Sequence, residues 1–325
     1  MLHTHITEHW GIRYPILGAP MAYVARGRLA RAISVAGGLG MFGVGSKDTC
    51  EMIERESAVA RGEAGSTKFG IGLMVWLLET RPELLDAAIA QRPFLLAISF
   101  GSLRPYVDKV HRAGILVATQ VNTRHAAIEA AEVGADLIVA QGTEAGGHTG
   151  SVATLPLLQI LLTSVNKPVG AAGGIASGAG LAAILAAGAV AGWIGTPFLL
   201  AAESELTEDA RRRLIAADET QTILTRVFDR ANQLAWPSEF PGRALRNTFT
   251  DRWHGHEEQL VSDPTEISRF RQAADAKNYD VTSIYAGQSV ALLSETQPAA
   301  EIVHRLGEEA ERILRERTRH LLGSA

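Results

Sequence analysis

The sequence is poor in cysteine, carries no large excess of charge of either sign and contains no classical secretion signal. Cys50 is the only cysteine, so no internal disulfide can form, and the chain fits the reducing cytoplasm. The 31 basic and 35 acidic residues nearly balance, and no basic stripe stands out. Nucleic acid is therefore not an expected partner. The first ten residues lack the basic region and apolar stretch of a signal peptide.

Residues 168–202 have no charged side chain, yet their composition is unlike that of a membrane span. The stretch is rich in glycine and alanine and is interrupted by Gly173-Gly174 and by Gly195-Thr196-Pro197. A bilayer span is normally built from larger apolar residues without such interruptions. We expect a strand, a helix and a strand packed inside the protein, and no role at a membrane.

Eight short apolar runs alternate with segments of helical periodicity. Such continuous apolar runs are typical of strands that are buried on both faces of a parallel sheet. The predicted strands are Pro15–Met21, Gly38–Gly43, Lys68–Val75, Phe94–Phe100, Ile115–Val121, Ala135–Gln141, Pro168–Gly173 and Ala191–Leu199. The predicted helices between them are Arg28–Ala36, Thr49–Gly62, Pro82–Gln91, Arg104–Ala113, Arg124–Val133, Leu155–Ser164 and Gly178–Ala187. The alternation favours an α/β fold of the (β/α)8 TIM-barrel type, with an open doubly wound sheet as the alternative.

The pattern changes at Glu203, where charge clusters and an aromatic, proline-rich loop replace the alternation. We expect residues 203–284 to form a smaller lobe that is inserted after the eighth strand and covers the substrate. Residues 1–202 and 285–325 would then make up the barrel. Within the last part, Pro298–His320 has apolar residues at helical spacing, which predicts a long helix packed on the outside of the barrel.

The loops after the seventh and eighth predicted strands have the composition of a phosphate site. TIM barrels often bind phosphate there, through backbone N–H groups and the start of a short helix. Gly173 and Gly174 end the seventh strand, and Gly195 and Thr196 end the eighth. Because glycine has no Cβ, its amide can approach phosphate oxygens closely, and the Thr196 hydroxyl adds a donor.

A single histidine, His148, lies in the glycine-rich segment AQGTEAGGHTG that follows the sixth predicted strand at residues 140–150. In a barrel this loop would project over the catalytic face. An imidazole can accept or donate a proton near neutral pH. We therefore expect His148 to act in catalysis rather than to be a solvated loop residue.

Two other patterns are interpreted as structural. Gly38, Gly40 and Gly43 match a dinucleotide-binding fingerprint, but the glycines fall within a predicted strand instead of opening a helix. His254 and His256 lack the spacing of a zinc motif and a second group of ligands, so no metal site is expected.

The combined motifs resemble the FMN-dependent nitronate monooxygenases, formerly called 2-nitropropane dioxygenases, over nearly the whole chain. The segments that carry the resemblance are PILGAPM (15–21), GGLG (37–40), QGTEAGGHTG (141–150), AAGGIA (171–176), GTPFL (195–199) and YAGQS (285–289). The glycine-histidine segment together with the two later glycine blocks is a specific combination. It is less specific for the substrate.

The resemblance implies non-covalent FMN at the top of the barrel, with His148 facing the substrate as a base or a positioning residue. It places the phosphate on Gly173, Gly174, Gly195 and Thr196. The remaining cofactor contacts that it implies are Ala19, Pro20, Met21, Gly72, Gln120, Gly147, Tyr285 and Gln288. Two positions depart from the family: many relatives have Asn where this chain has Gly72, and some have Lys where it has Gln120.

The resemblance implies FMN-dependent oxidation of alkyl nitronates or nitroalkanes by O2 to a carbonyl compound and nitrite. The main alternative is an FMN-dependent NAD(P)H reductase of an enone, a quinone or an enoyl thioester, because enoyl-ACP reductases share the glycine-histidine segment. A third hypothesis is a flavin-free barrel that binds a phosphorylated sugar or nucleotide, as an isomerase or binding protein. The expected partners are a small-molecule substrate and O2, and a homodimer is one candidate assembly.

Overall fold

A computed structural model describes residues 1–323 of the protein. Its strands are β1 (Ile16–Gly18), β2 (Met41–Gly43), β3 (Gly70–Met74), β4 (Leu95–Ser99), β5 (Leu116–Val121), β6 (Leu137–Gln141), β7 (Gly147–His148), β8 (Val169–Ala172), β9 (Gly192–Ile194), β10 (Thr222–Thr225) and β11 (Gly242–Leu245). Its α-helices are α1 (His5–His9), α2 (Gly27–Val35), α3 (Cys50–Arg61), α4 (Val75–Leu78), α5 (Glu83–Ala90), α6 (Val107–Arg112), α7 (Arg124–Glu132), α8 (Thr154–Leu162), α9 (Gly178–Ala186), α10 (Thr196–Leu199), α11 (Glu208–Ala216), α12 (Val227–Asn232), α13 (Thr248–Trp253), α14 (Glu257–Val261), α15 (Pro264–Asp275) and α16 (Ala299–Leu322). A 3₁₀ helix spans Gln288–Leu292.

Eight parallel strands form a nearly closed barrel, in the order β1-β9-β8-β6-β5-β4-β3-β2. The two ends of this sheet meet through isolated parallel bridges between Leu17 and Leu39 and between Ala22 and Gly43. The predicted (β/α)8 barrel is therefore confirmed, and the open sheet is excluded. Each of the eight predicted apolar runs contains one of the barrel strands.

The strands alternate between an inner and an outer apolar layer. Side chains such as Leu17, Leu95 and Leu137 belong to a cluster inside the barrel, whereas Ile16 and Leu96 pack outward against the helices. Strands buried on both faces need apolar residues at every position, which explains the continuous runs in the sequence.

Helix α1 was not predicted, and it closes the amino-terminal end of the barrel. Ile6 and Trp10 are buried and join the inner cluster. The helix is short and begins with a capping box at Thr4, so its apolar pattern is too brief to be recognised in the sequence. The opposite end of the barrel, where the strands have their carboxyl ends, is the end that carries the candidate site.

Residues 203–284 contain α11 to α15 with β10 and β11, and much of this segment packs around its own apolar cluster. Phe228, Phe249 and Phe270 lie at the centre of that cluster. β10 and β11 pair antiparallel, and β11 also pairs with β7, which comes from the loop after β6. The segment is thus joined by backbone hydrogen bonds to the loop that carries His148.

Helix α16 packs on the outside of the barrel against α9 and α2, as predicted. Its residues Ile302, Leu306 and Ala310 are buried, and the Glu309 carboxylate accepts a hydrogen bond from the amide of Gly178 at the start of α9. The final two residues of the predicted barrel segment, 324 and 325, lie outside the described residues. Within residues 1–323 no helix is both long and apolar enough to cross a membrane.

Candidate active site

The predicted phosphate loops lie at the carboxyl ends of β8 and β9. Gly173 and Gly174 have φ angles of +103° and +72°, which glycine adopts without the penalty that other residues incur. Gly195 and Thr196 open the short helix α10. Within residues 1–323, the backbone N–H groups of these four residues make no hydrogen bond to the protein. Four unpaired amides at neighbouring strand ends form a ready cradle for an anion.

The loop after β1 lies beside this cradle. A Cβ built on Gly195 would be 3.4 Å from Ala19 Cβ and 3.5 Å from Met21 Sδ, which are ordinary contact distances. Ala19 and Met21 are partly exposed, so they remain open to a ligand. The structure thus brings the β1 loop and the β9 loop together.

Gly72, in β3, packs against Pro20 from the loop after β1. A Cβ at this position would be 2.4 Å from Pro20 Cβ and 2.5 Å from Pro20 Cγ. In this chain any side chain at position 72 would collide with Pro20, which gives a physical reason for the departure from asparagine. Gly72 is itself buried, whereas Pro20 is partly exposed and can contact a ligand.

Gln120 lies in β5 with the same inward orientation as Ala118. Its backbone amide donates to Ser99 Oγ at 3.0 Å. Its partly exposed side-chain amide makes no hydrogen bond within residues 1–323, so both its donor and its acceptor remain free.

The segment that contains Tyr285 and Gln288 closes over the loop after β6. The amide of Gln288 donates to the carbonyl of Glu144 at 3.0 Å, and the amide of Gly287 donates to Thr196 Oγ1 at 3.0 Å. Since Thr196 Oγ1 is an acceptor in that bond, its hydroxyl proton remains available for a ligand. The Gln288 side chain itself is exposed.

A buried polar network fixes the base of the histidine loop. Gln141 Nε2 donates to the carbonyl of His148 at 3.0 Å, and Asn122 Nδ2 donates to the carbonyl of Gln141 at 2.8 Å. Gly147 has a φ of +77° with open space around its Cβ position, so the turn at this residue favours glycine. The loop is rich in glycine, and these hydrogen bonds fix its position.

His148 is nearly buried and is paired with a carboxylate from the inserted segment. Its Nε2 lies 2.9 Å from Oδ1 of Asp229 in α12, and the two side chains are 9% and 5% exposed. On one face, the imidazole stacks on Trp236, with ring centroids 3.4 Å apart and an interplanar angle of 6°. Its centroid is 5.5 Å from the Tyr285 ring. This environment differs from the solvated loop that is the usual place of a glycine-flanked histidine.

An aromatic cluster surrounds this pair. Trp236 contacts Trp76 and Phe100 at centroid distances of 5.3 and 4.9 Å, and Phe240 contacts Phe100 at 5.4 Å. The indole Nε1 of Trp76 is buried without a partner in the described chain, so the cluster contains an unpaired donor. The cluster combines residues from the ends of β3 and β4 with the loop 233–241.

Tyr285 and Arg243 contribute further polar groups near His148. Burial, together with the nearby Asp229 charge, raises the pKa of Tyr285 well above its ordinary value, so its phenol stays neutral. Arg243 in β11 donates to the Thr143 carbonyl at 2.8 Å, and burial lowers the pKa of its guanidinium. Arg243 thus ties β11 to the loop that carries His148.

Sequence reasoning did not single out Asp229, Arg243 or Trp76. Asp229 is 81 positions from His148, and nothing in the surrounding sequence distinguishes it from the other acidic residues of the segment. Pairing between β7 and β11 brings Asp229 and Arg243 to the site, and Trp76 comes from the end of β3; both placements depend on tertiary structure. The only available signal was the aromatic stretch at 236–240.

The structure also places the glycine repeat at 38–43 and the histidine pair at 254 and 256. A Cβ on Gly40 would come 1.9 Å from the Ala30 carbonyl oxygen, so this glycine serves the packing of α2 on the barrel. His254 is about half exposed and hydrogen-bonds Thr225 Oγ1 at 3.1 Å. Among residues 1–323 no group of three or more His, Cys, Asp or Glu residues is arranged to hold a metal.

Comparison with known sequences points to one family. A sequence model described as nitronate monooxygenase matches residues 85–309. The nitronate monooxygenase of Neurospora crassa is 30% identical over 340 residues, covering 91% of this chain and 88% of that protein. A Rhodococcus jostii protein named (3aS,4S,5R,7aS)-5-hydroxy-7a-methyl-1-oxo-octahydro-1H-indene-4-carboxyl-CoA dehydrogenase is 34% identical over 229 residues, which is 70% of this chain. The match spans 64% of that relative's length.

Solved structures agree with the sequence comparison. FabK from Thermotoga maritima superposes with a TM-score of 0.85 at 27% identity and covers 98% of this chain and 100% of its own. Nitroalkane oxidase from Streptomyces ansochromogenes superposes with a TM-score of 0.79 at 28% identity and covers 94% of this chain and 98% of its own. Both similarities extend over the barrel and the inserted segment.

Proposed function

The chain belongs to the nitronate monooxygenase family, and from this premise we propose that it is an FMN-dependent enzyme that oxidises alkyl nitronates or nitroalkanes with O2. The products would be a carbonyl compound and nitrite. Membership of the family makes the chain an oxidoreductase, so the isomerase or binding-protein reading is set aside. The observation that carries the proposal is that His148 and the four unpaired amides lie at the same end of the barrel.

The residues at this end fit FMN. The amides of Gly173, Gly174, Gly195 and Thr196 and the Thr196 hydroxyl would hold its phosphate, since backbone donors suit a multiply charged anion. Glu144 lies beside Gly174, but both its carboxylate oxygens accept from the Thr154 amide at the start of α8, which offsets its charge. Bound FMN would accept electrons from the substrate and pass them to O2.

The other proposed cofactor contacts surround the cradle. Ala19, Pro20 and Met21 would lie along the ring system, and the free amide of Gln120 would meet its pyrimidine edge. Gln120 offers an amide dipole where some relatives have a cation, so it would stabilise negative charge on the ring less strongly. Gly147, Tyr285 and Gln288 would close the site, and Gly72 would act through its support of Pro20.

Substitution of Gly195 tests the phosphate position. Gly195→Asp should abolish retention of FMN, because a carboxylate at contact distance repels each phosphate charge by about 4 kcal/mol at an effective dielectric constant of about 20. That energy corresponds to about a thousandfold in Kd. FMN binding to the apoprotein can be measured by fluorescence quenching.

Gly195→Asn is the matched control, because it has nearly the same shape as the aspartate but no charge. The space around position 195 allows a Cβ without collision. The asparagine variant should bind FMN within about tenfold of the wild type. Tight binding by the aspartate variant, or equal weakening by both, would contradict the phosphate position.

His148 would supply the acid–base chemistry. In a neutral nitroalkane the proton on the carbon next to the nitro group must leave before a nitronate exists, and His148 supplies an imidazole beside the aromatic cluster at this end of the barrel. With a pre-formed nitronate the same residue would only orient the anion. The aromatic cluster around it would exclude water from the reacting carbon.

The two substrates separate these roles. His148→Ala should lower kcat/KM for a neutral nitroalkane by about 10²–10⁴-fold, which is the usual contribution of a general base, and should affect the pre-formed nitronate far less. Nitrite release measures both reactions. His125→Ala, at an exposed position in α7, is the control and should leave both rates unchanged. Equal losses on the two substrates would make His148 a positioning residue, and no loss would remove it from the site.

Residues 203–284 are proposed to form the lobe that covers the substrate. Trp236 stacks on His148, and Phe240 reaches Phe100 at the end of β4, so this segment supplies one side of the aromatic cluster. The wall is apolar, and it would therefore select substrates by the size of their alkyl groups.

Phe240→Ala should shift preference towards bulkier nitroalkanes while FMN remains bound. A contact of this size in an apolar pocket changes discrimination by about tenfold or more. The ratio of kcat/KM for a branched and a short nitroalkane measures the effect. Val261→Ala, an exposed apolar position in the same segment, should leave that ratio unchanged. An unchanged ratio in the Phe240 variant would count against a covering role for this loop.

A second candidate is an FMN-dependent NAD(P)H reductase of an enone, a quinone or an enoyl thioester. It is supported by the similarity to FabK and by the relative that is named as a dehydrogenase of a CoA derivative. The same cradle and histidine would serve such a reaction, in which the imidazole would donate a proton instead of removing one.

A further inference from the structure

We propose that Asp229 is a positioning residue that keeps the ring proton of His148 on Nε2 and so makes Nδ1 the atom that takes the substrate proton. The inference rests on the proposed role of His148 as a base. It adds a second residue to the acid–base machinery, and that residue comes from the inserted segment rather than from the barrel.

The hydrogen bond between the two side chains is short and enclosed. His148 Nε2 lies 2.9 Å from Asp229 Oδ1, and 9% of the His148 side chain and 5% of the Asp229 side chain are exposed. Within residues 1–323 this is the only side-chain hydrogen bond of the Asp229 carboxylate, and His148 Nδ1 makes none. The Asp229 carboxylate therefore has His148 Nε2 as its one side-chain partner within the described residues.

Asp229 lies in the first turn of α12, where a negative charge is favourable, but the side chains around it are apolar. Its helix neighbours Val227, Phe228 and Ala231 belong to the apolar cluster of the inserted segment. Removing a carboxylate from water is unfavourable unless it is paired, and His148 is its side-chain partner within residues 1–323. A carboxylate in such a place is best explained by what it does to its partner.

The chemistry of the pair fixes the tautomer. An ionised carboxylate can only accept hydrogen bonds, so the neutral imidazole must carry its proton on Nε2 and its lone pair on Nδ1. When a substrate binds, the C–H bond next to the nitro group breaks, and its electron pair moves into the nitro group to form the nitronate. The proton bonds to Nδ1, and the resulting imidazolium is stabilised by the Asp229 charge.

Within residues 1–323 no charged side chain other than Asp229 hydrogen-bonds the imidazole. The Tyr285 ring lies 5.5 Å from it between ring centroids, and its raised pKa keeps the phenol neutral. Arg243, next to Gly242 in β11, directs its guanidinium to the Thr143 carbonyl and Thr222 Oγ1. His254 hydrogen-bonds Thr225.

The backbone holds both partners in register. Gly242 pairs directly with His148, and a Cβ at Gly242 would be 3.4 Å from His148 Nε2. At the end of α12 the Leu234 amide donates to the Asp229 carbonyl at 3.0 Å. Strand and helix thus present the carboxylate to Nε2 and leave Nδ1 free.

Nitrogen-edited proton NMR of the full-length protein tests the tautomer without measuring activity. With ring-labelled histidine at alkaline pH, one downfield and slowly exchanging N–H proton should be bonded to Nε2 of His148. His148→Gln assigns the signal by abolishing it, and Asp229→Leu should also abolish it. A protected proton on Nδ1 in the wild type, or an unchanged Nε2 signal in the leucine variant, would overturn the proposal.

Kinetics with the same variants separate positioning from structural support. Asp229→Leu should lower kcat for a neutral nitroalkane by about 10²-fold or more, with a smaller change in KM and in nitronate turnover. Asp229→Glu keeps a carboxylate acceptor for Nε2–H and should recover about tenfold of that loss. Asp275→Asn removes an exposed carboxylate of the same segment and should match the wild type in both measurements.

The outcomes distinguish failure of the proposed function from failure of the positioning role of Asp229. If the wild type turned over neither nitroalkane nor nitronate, the proposed function would fail, while the NMR signal would still report the tautomer. Equal loss of nitroalkane and nitronate turnover in Asp229→Leu, with no recovery in Asp229→Glu, would overturn the positioning role. Should the leucine variant fail to fold, the wild-type NMR spectrum and the glutamate variant decide the question.

Discussion

The arrangement of the candidate site depends on the antiparallel pairing of Gly147 and His148 with Gly242 and Arg243. Without this pairing, the segment after β6 would be a glycine-rich loop over the carboxyl end of the barrel. Two residue pairs convert that loop into the edge of a small sheet, and His148 gains a fixed direction. The same pairing brings Asp229 and Trp236 against the imidazole, so the site is shared between the barrel and the inserted segment.

The barrel and the position of the glycine loops at the ends of β8 and β9 follow from the sequence. Continuous apolar runs such as the one in β6 indicate strands that are covered on both faces, and alternation with helices favours a parallel barrel over an open sheet. The glycines at 173 and 174 were informative because a positive φ restricts the choice of residue at those positions. Local sequence therefore carries this part of the structure.

The surroundings of His148 could not be predicted from the sequence in the same way. β7 has two residues, too few to give an alternating pattern, and its partner β11 lies almost 100 positions away. Asp229 and Arg243 are charged residues in a charged segment, and their burial is set by tertiary packing. The departure at Gly72 also needed the fold, because only there does the ring of Pro20 occupy the space of a side chain.

The two candidate functions use the same cradle and the same imidazole, and they differ in which molecule delivers electrons to the site. Purified protein should show flavin absorption, and anaerobic mixing with a pre-formed alkyl nitronate should bleach it, while NADH or NADPH should leave it unchanged over the same time. Admission of O2 should restore the colour with release of nitrite. Bleaching by NADH or NADPH without any response to nitronate, or a protein with no flavin absorption, would contradict the account.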